Sequence, residues 1–216
     1  MGIFSQWSNP NYWLGVLYSL PAILLALSVH EWAHAFAAYK CGDPTARNLG
    51  RLTLDPTKHL DLWGTLCLIF FRFGWAKPVP INSRNFKHYK RDNILVSLSG
   101  IITNFILSFV AYAIIVLLYK VIGLQNAIVL QILYYVVLIN ITLGVFNLIP
   151  IPPLDGFQVL STFLSKKAYP VISALNRYGF IIVIILLITG VLSGILYGFT
   201  DWLMNVYGSI FGFYLT

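Results

Sequence analysis

Acidic side chains are what this chain has least of. Its 216 residues hold seven aspartates and glutamates against fourteen lysines and arginines, and the single glutamate is Glu31. Charged residues make up 10% of the chain and hydrophobic ones 58%, with a mean hydropathy of +0.78. Soluble domains carry about 25% charged residues, so this composition excludes them and points to an all-α polytopic membrane protein in contact with the lipid bilayer. Cysteine is scarce too: Cys41 and Cys67 cannot make a disulfide framework. Internal repeats and low-complexity linkers are absent, which leaves a single domain over 1–216, with a core at about 12–165 and one or more extra helices at 178–216. Residues 1–13 contain no lysine or arginine, so the basic start of a cleavable signal is missing and the first apolar stretch is expected to remain a membrane helix.

Five apolar stretches are present: Tyr12–Tyr39 (containing Pro21), Leu62–Phe73, Ile94–Tyr119, Ala127–Ile149 and Phe180–Tyr197. The second is too short to cross about 30 Å of hydrocarbon and reads as re-entrant or interfacial. An aromatic, glycine-broken tail, Trp202–Tyr214, reads as interfacial or as a short last helix. About 4–6 transmembrane helices are expected. Part of Asn48–Leu54 alternates apolar and polar residues. Ala76–Ile81 carries two prolines and suits an edge strand or extended loop. A small membrane-associated β-hairpin is therefore expected within 46–83.

The net charge of +7 follows the loops rather than a nucleic-acid-binding face, so no nucleic-acid partner is expected. Residues 40–92 hold ten of the fourteen basic residues, which places that loop in the cytoplasm and the N-terminus outside a cell membrane crossed several times.

Glu31 lies within His30-Glu31-Trp32-Ala33-His34, inside the first apolar stretch. On a helix His30 and His34 are i and i+4, so both imidazoles leave one face and can share a metal ion, with the Glu31 carboxylate beside them as a base. An ionisable residue in hydrocarbon is costly and marks function. His34 precedes Lys40 by six residues, roughly 9 Å along the helix, so the site is expected inside the membrane near its cytoplasmic side.

A catalytic zinc needs a third protein ligand. No second glutamate exists, and Ala37 and Lys40 occupy the positions of an extended histidine pattern. The third ligand must be an aspartate or histidine from elsewhere. Asp43 and Asp55 precede prolines and read as turn residues, Asp61 as a helix cap, and Asp92 as a solvated side chain among basic residues. His59 and His88 read as surface or structural. Asp155, after Pro150-Ile151-Pro152-Pro153 and before Gly156, reads either as a ligand returned into the membrane or as the N-cap of the next helix.

Three motifs in order, His30–His34, Gly74-Trp75-Ala76-Lys77-Pro78-Val79-Pro80-Ile81-Asn82 and Asn147–Gly156, resemble those of the site-2 protease family of intramembrane zinc metalloproteases, in its compact prokaryotic branch without PDZ or CBS domains. The resemblance spans about 20–165. It implies His30, His34 and Asp155 as ligands of one Zn2+ per chain and Glu31 as catalytic base. It also implies hydrolysis of peptide bonds within or near transmembrane segments of a membrane-anchored protein or peptide. In Ser99-Gly100-Ile101-Ile102-Thr103-Asn104 the family's glycine and asparagine are kept, but Ile101 stands where proline is usual. Asn104 and Asn147 are candidate polar helpers, or simply interhelical hydrogen-bonders. A substrate unwound from its helix could pair with an edge strand, for which Leu52 and Leu54 are candidates. The alternative is a non-catalytic zinc-binding scaffold or chaperone for client helices, which would tolerate loss of Glu31.

Overall fold

The computed structural model describes residues 10–71 and 74–215. The N-terminal residues 1–9 and the end of the short apolar stretch at Arg72 and Phe73 lie outside the described residues. Among the described residues, eight α-helices account for nearly all regular structure: α1 (Pro10–Lys40), α2 (Thr45–Asn48), α3 (Leu62–Phe71), α4 (Tyr89–Val116), α5 (Ala127–Leu148), α6 (Asp155–Phe163), α7 (Tyr169–Ile188) and α8 (Val191–Phe211). Among the described residues four segments are long and apolar enough to cross a membrane: Tyr12–Lys40, Tyr89–Val121, Ala127–Leu148 and Tyr169–Ile188. The chain is a multi-pass membrane protein.

Helices α1, α4 and α5 pack on one another and form the centre of the molecule. Their contact is made by small and β-branched residues such as Ala22, Ala111, Val137 and Ile141, which let backbones approach closely. Large apolar side chains, among them Leu17, Ile106 and Ile128, point outward, as a lipid-facing surface requires. Helix α4 continues unbroken through Ile101, which is buried, so the family's proline is not needed for this helix to form.

Helix α8 is less apolar than the spans, yet it packs against both α5 and α4. Thr200 Oγ1 lies 3.5 Å from Thr142 Oγ1, Tyr207 bonds to Ser108 at 3.0 Å, and Lys120 donates to Gly212 O at 2.6 Å beyond the far end of α4. The expected fifth span, Phe180–Tyr197, is not one helix. It is cut at Gly190, whose φ of 77° ends α7 and starts α8, and the aromatic tail is the second half of α8. A left-handed glycine stops a helix, but glycines are common enough in membrane helices to hide this break in the sequence.

Helix α3 has ten residues, about 15 Å of rise, half of what a span needs. Its flanks are joined, since Lys77 N donates to His59 O at 2.8 Å and Leu60 bridges Ala76. The segment therefore leaves and returns on one side, as expected. Asp61 caps α3 through Gly64 N at 2.8 Å.

The expected β-hairpin is not formed: among the described residues the isolated Leu60–Ala76 bridge is the whole of the β-pairing. Arg51 explains why. Its guanidinium donates to the carbonyls of Lys77 and Pro78 at 2.8 and 3.2 Å, taking acceptors that a neighbouring strand would use, while Pro78 and Pro80 have no N–H to offer. The 76–82 segment is an extended strap over the end of α1. Leu52 packs beneath it against Ala35, Ala46 and Val79, whereas Leu54 is exposed.

Asp43 fastens the strap. Its carboxylate accepts from Asn82 N and Asn85 Nδ2, both at 2.7 Å, and from Thr45. Burial works to raise the Asp43 carboxyl, but the Thr45, Asn82 and Asn85 donors hold it below the usual carboxylate range. Asp92 is not solvated as expected. It is buried, accepting from His88 N at 2.8 Å and bound to Arg91, because the first turn of α4 folds the basic stretch around it.

Candidate active site

His30 and His34 leave α1 on one face, and both are buried. Their Nε2 atoms lie 2.9 Å apart. Asp155 Oδ2 lies 3.2 Å from His30 Nε2 and 3.1 Å from His34 Nε2. Asp155 is the first residue of α6, one past the N-cap Leu154, and its carboxylate lies against the two imidazoles. Gly156 makes this approach feasible. A Cβ at that position would come within 2.2 Å of Leu148 O, so only glycine lets α6 start against the end of α5.

Each histidine is held from behind. His30 Nδ1 meets Asn104 Oδ1 at 2.6 Å, and His34 Nδ1 meets Val96 O at 2.7 Å. Asn104 Nδ2 is itself a donor to Ala26 O, which settles which end of that amide faces His30. Both partners of the imidazoles are acceptors, so both Nδ1 atoms carry the proton and both Nε2 atoms present bare lone pairs. Two lone pairs and a carboxylate oxygen within about 3 Å repel one another unless a cation lies between them. A tetrahedral ion with bonds of 2.0–2.1 Å sets its ligand atoms roughly 3.3 Å apart, close to the spacing here. The residues fit a zinc ion. No other group of histidine, cysteine and acidic side chains among the described residues could hold a metal.

The chain matches the sequence profile of Peptidase family M50 over residues 18–189. It belongs to that family. The M50 peptidase is 34% identical over 202 residues to the candidate zinc metalloprotease YwhC of Bacillus subtilis, covering 90% of this chain and 92% of that protein. It is 28% identical over 191 residues to the candidate zinc metalloprotease Rip2 of Mycobacterium tuberculosis, covering 86% of this chain and 72% of the relative. The Rip2 of Mycolicibacterium smegmatis is 29% identical over 213 residues, 93% of this chain and 78% of the relative. No solved structure matches. The M50 peptidase is thus a metalloprotease of the site-2 type, and zinc is the cofactor its donor set fits.

Glu31 is buried beside the ligand group, and its Oε2 accepts from Val79 N at 2.7 Å. Val79 stands between Pro78 and Pro80, so its N–H is the one donor in that stretch, and the structure spends it on Glu31. A cavity of about 340 Å³ opens in front, lined by Glu31, Val79, Ser97, Asn147, Asp155 and Gln158 among others. Asn147 donates to Leu143 O at 3.0 Å, leaving its carbonyl oxygen unengaged among the described residues. Asn104 lies behind His30, out of the cavity. Leu52 and Leu54 do not line it; Leu52 only supports the strap.

Sequence reasoning missed Val79 N, Val96 O and Asn140, which bonds to Asn104. Backbone groups carry no residue signature, but an asparagine in the middle of the apolar α5 was a readable signal for the third. Replacing Val79 by proline removes the donor to Glu31, while alanine keeps it. A hydrogen bond to a charged group contributes about 1.5–3 kcal/mol. Peptidase assays should show Val79→Pro roughly 10–100-fold slower with bound zinc unchanged, and Val79→Ala near wild type.

Proposed function

We propose that this M50 peptidase is an intramembrane zinc endopeptidase that cleaves membrane-anchored proteins or peptides within or near their transmembrane segments. His30, His34 and Asp155 hold one zinc ion, and Glu31 is the base. The observation that carries the reading is the convergence of three bare acceptors, two of them from a helix apolar enough to span a membrane. The whole chain acts as one domain.

Zinc, when bound, supplies a Lewis acid that polarises the scissile carbonyl and lowers the pKa of water near 7. Glu31 takes the proton of the attacking water and returns it to the leaving amine. Val79 N–H holds one carboxylate oxygen and so leaves the other to face the cavity. Asn147, with its free carbonyl oxygen, is suited to accept a backbone N–H of the substrate. Ser97, Asn93 and Gln158 give the cavity a polar wall that admits water. The mouth lies at the end of the molecule where the basic loop begins and α4 starts. By the charge bias of loops this end faces the cytoplasm, with the N-terminus on the other side.

The test is a purified enzyme in liposomes with a single-pass reporter substrate. Wild type should hold one zinc per chain and cut the reporter. Asp155→Ala should lose both, because a two-histidine site binds zinc far more weakly. Zinc-loaded wild type that cuts none of several reporter helices would return the scaffold reading.

A further inference from the structure

The carboxamide of Asn140 is fully buried in the middle of α5 and touches neither the cavity nor the ligand group. Burying an amide at that depth is costly unless all of its hydrogen bonds are made. Its Nδ2 donates to Val136 O, one turn back on its own helix, at 2.8 Å. The orientation of the amide is thereby fixed, and Oδ1 must point away from Val136. That oxygen accepts from Asn104 Nδ2 at 2.7 Å, and the same Nδ2 also reaches Ala26 O at 3.3 Å. Both Asn104 protons are committed, so Asn104 presents only its oxygen to His30 Nδ1, at 2.6 Å.

The polarity runs one way along this chain, from Val136 O through Asn140 and Asn104 to His30. If Asn104 were turned over, its amide nitrogen would face His30 Nδ1 and drive the ring proton to Nε2, where it would occupy the lone pair aimed at the metal. Its oxygen would then confront Ala26 O and Asn140 Oδ1, both acceptors. Without Asn140 one of those two penalties disappears, and the flipped amide becomes accessible. We propose that Asn140 is a positioning residue for the metal: acting through Asn104, it sets the tautomer of His30 and keeps Nε2 free to bind zinc. It ties α5, which supplies no ligand, to a ligand on α1 by way of α4.

The inference rests on His30 being a zinc ligand, and the experiment separates the two claims. Zinc affinity is measured by chelator competition, and the ligand field by the visible spectrum of the cobalt-loaded protein. The variants are His30→Ala, Asn104→Leu, Asn140→Leu, Asn140→Ala, Asn140→Asp and the double variant Asn104→Leu/Asn140→Leu. Loss of a partner behind a ligand typically weakens binding about 10–100-fold. Asn140→Leu and Asn140→Ala should fall in that range with an altered cobalt spectrum, the alanine variant reading the same effect if the leucine one does not fold. Asn140→Asp should stay within about threefold of wild type, because either form of the carboxyl still accepts from Asn104. The double variant should be no weaker than Asn104→Leu, since both act on one proton. If Asn140→Ala binds zinc like wild type, or the two asparagine effects add, the relay is wrong. If His30→Ala also binds like wild type, the ligand assignment itself has failed.

Discussion

Glu31→Gln should keep one zinc per chain and lose cleavage by about 10²–10⁴-fold, the usual contribution of a positioned general base. Glutamine has nearly the same shape, and its carbonyl can still accept from Val79 N, so the strap and the ligand group need not move. What it cannot do is take a proton. No other carboxylate lining the cavity can stand in, because Asp155 is the one other acid there and it is committed to the two histidines. Zinc content and reporter cleavage on the same preparation check this. Loss of zinc would make Glu31 a ligand, and retained turnover would remove it from the chemistry.

Gly100→Ala should abolish tight zinc binding without replacing a ligand. A Cβ at Gly100 would lie 2.6 Å from His30 Cε1 and 2.7 Å from both His30 Nδ1 and His34 Nε2. Neither ring can retreat, since Asn104 and Val96 hold them from behind. In an ordinary helix this substitution stabilises by roughly 0.5–1 kcal/mol. Here the clash outweighs that gain, so the metal-free protein should melt lower than wild type, while zinc affinity falls by about 100-fold or more. Thermal melts and chelator competition read the two effects apart. Zinc affinity unchanged by the alanine would mean that α4 stands further from the histidines than described.

The central helices were legible because a membrane span needs a long apolar run, and α1, α4 and α5 have one. The His30–His34 motif was legible from its metal-binding spacing, and the third motif from prolines that break a membrane helix just before an acid, so Asp155 could be singled out as a candidate before any geometry. The strap was only half legible. Two prolines excluded a helix or central strand at 76–81 and left an edge strand or extended loop, yet nothing marked Arg51 as the residue that would take its carbonyls, or Val79 N as the donor reserved for Glu31. Asp92 was misread because a charge in a basic stretch looks solvated until the helix start wraps around it. The Gly190 break was hidden by apolar residues on both sides.

The buried position of the site constrains inhibitors of this peptidase. The cavity opens onto a buried carboxylate and a buried ligand group, and an intact helix keeps its backbone carbonyls in its own hydrogen bonds. A compound that imitates a helix will not present a carbonyl to the metal site, however well its side chains are chosen. A slim, extended peptide fragment carrying a zinc-binding end group will, and its potency should track how little it costs to hold straight.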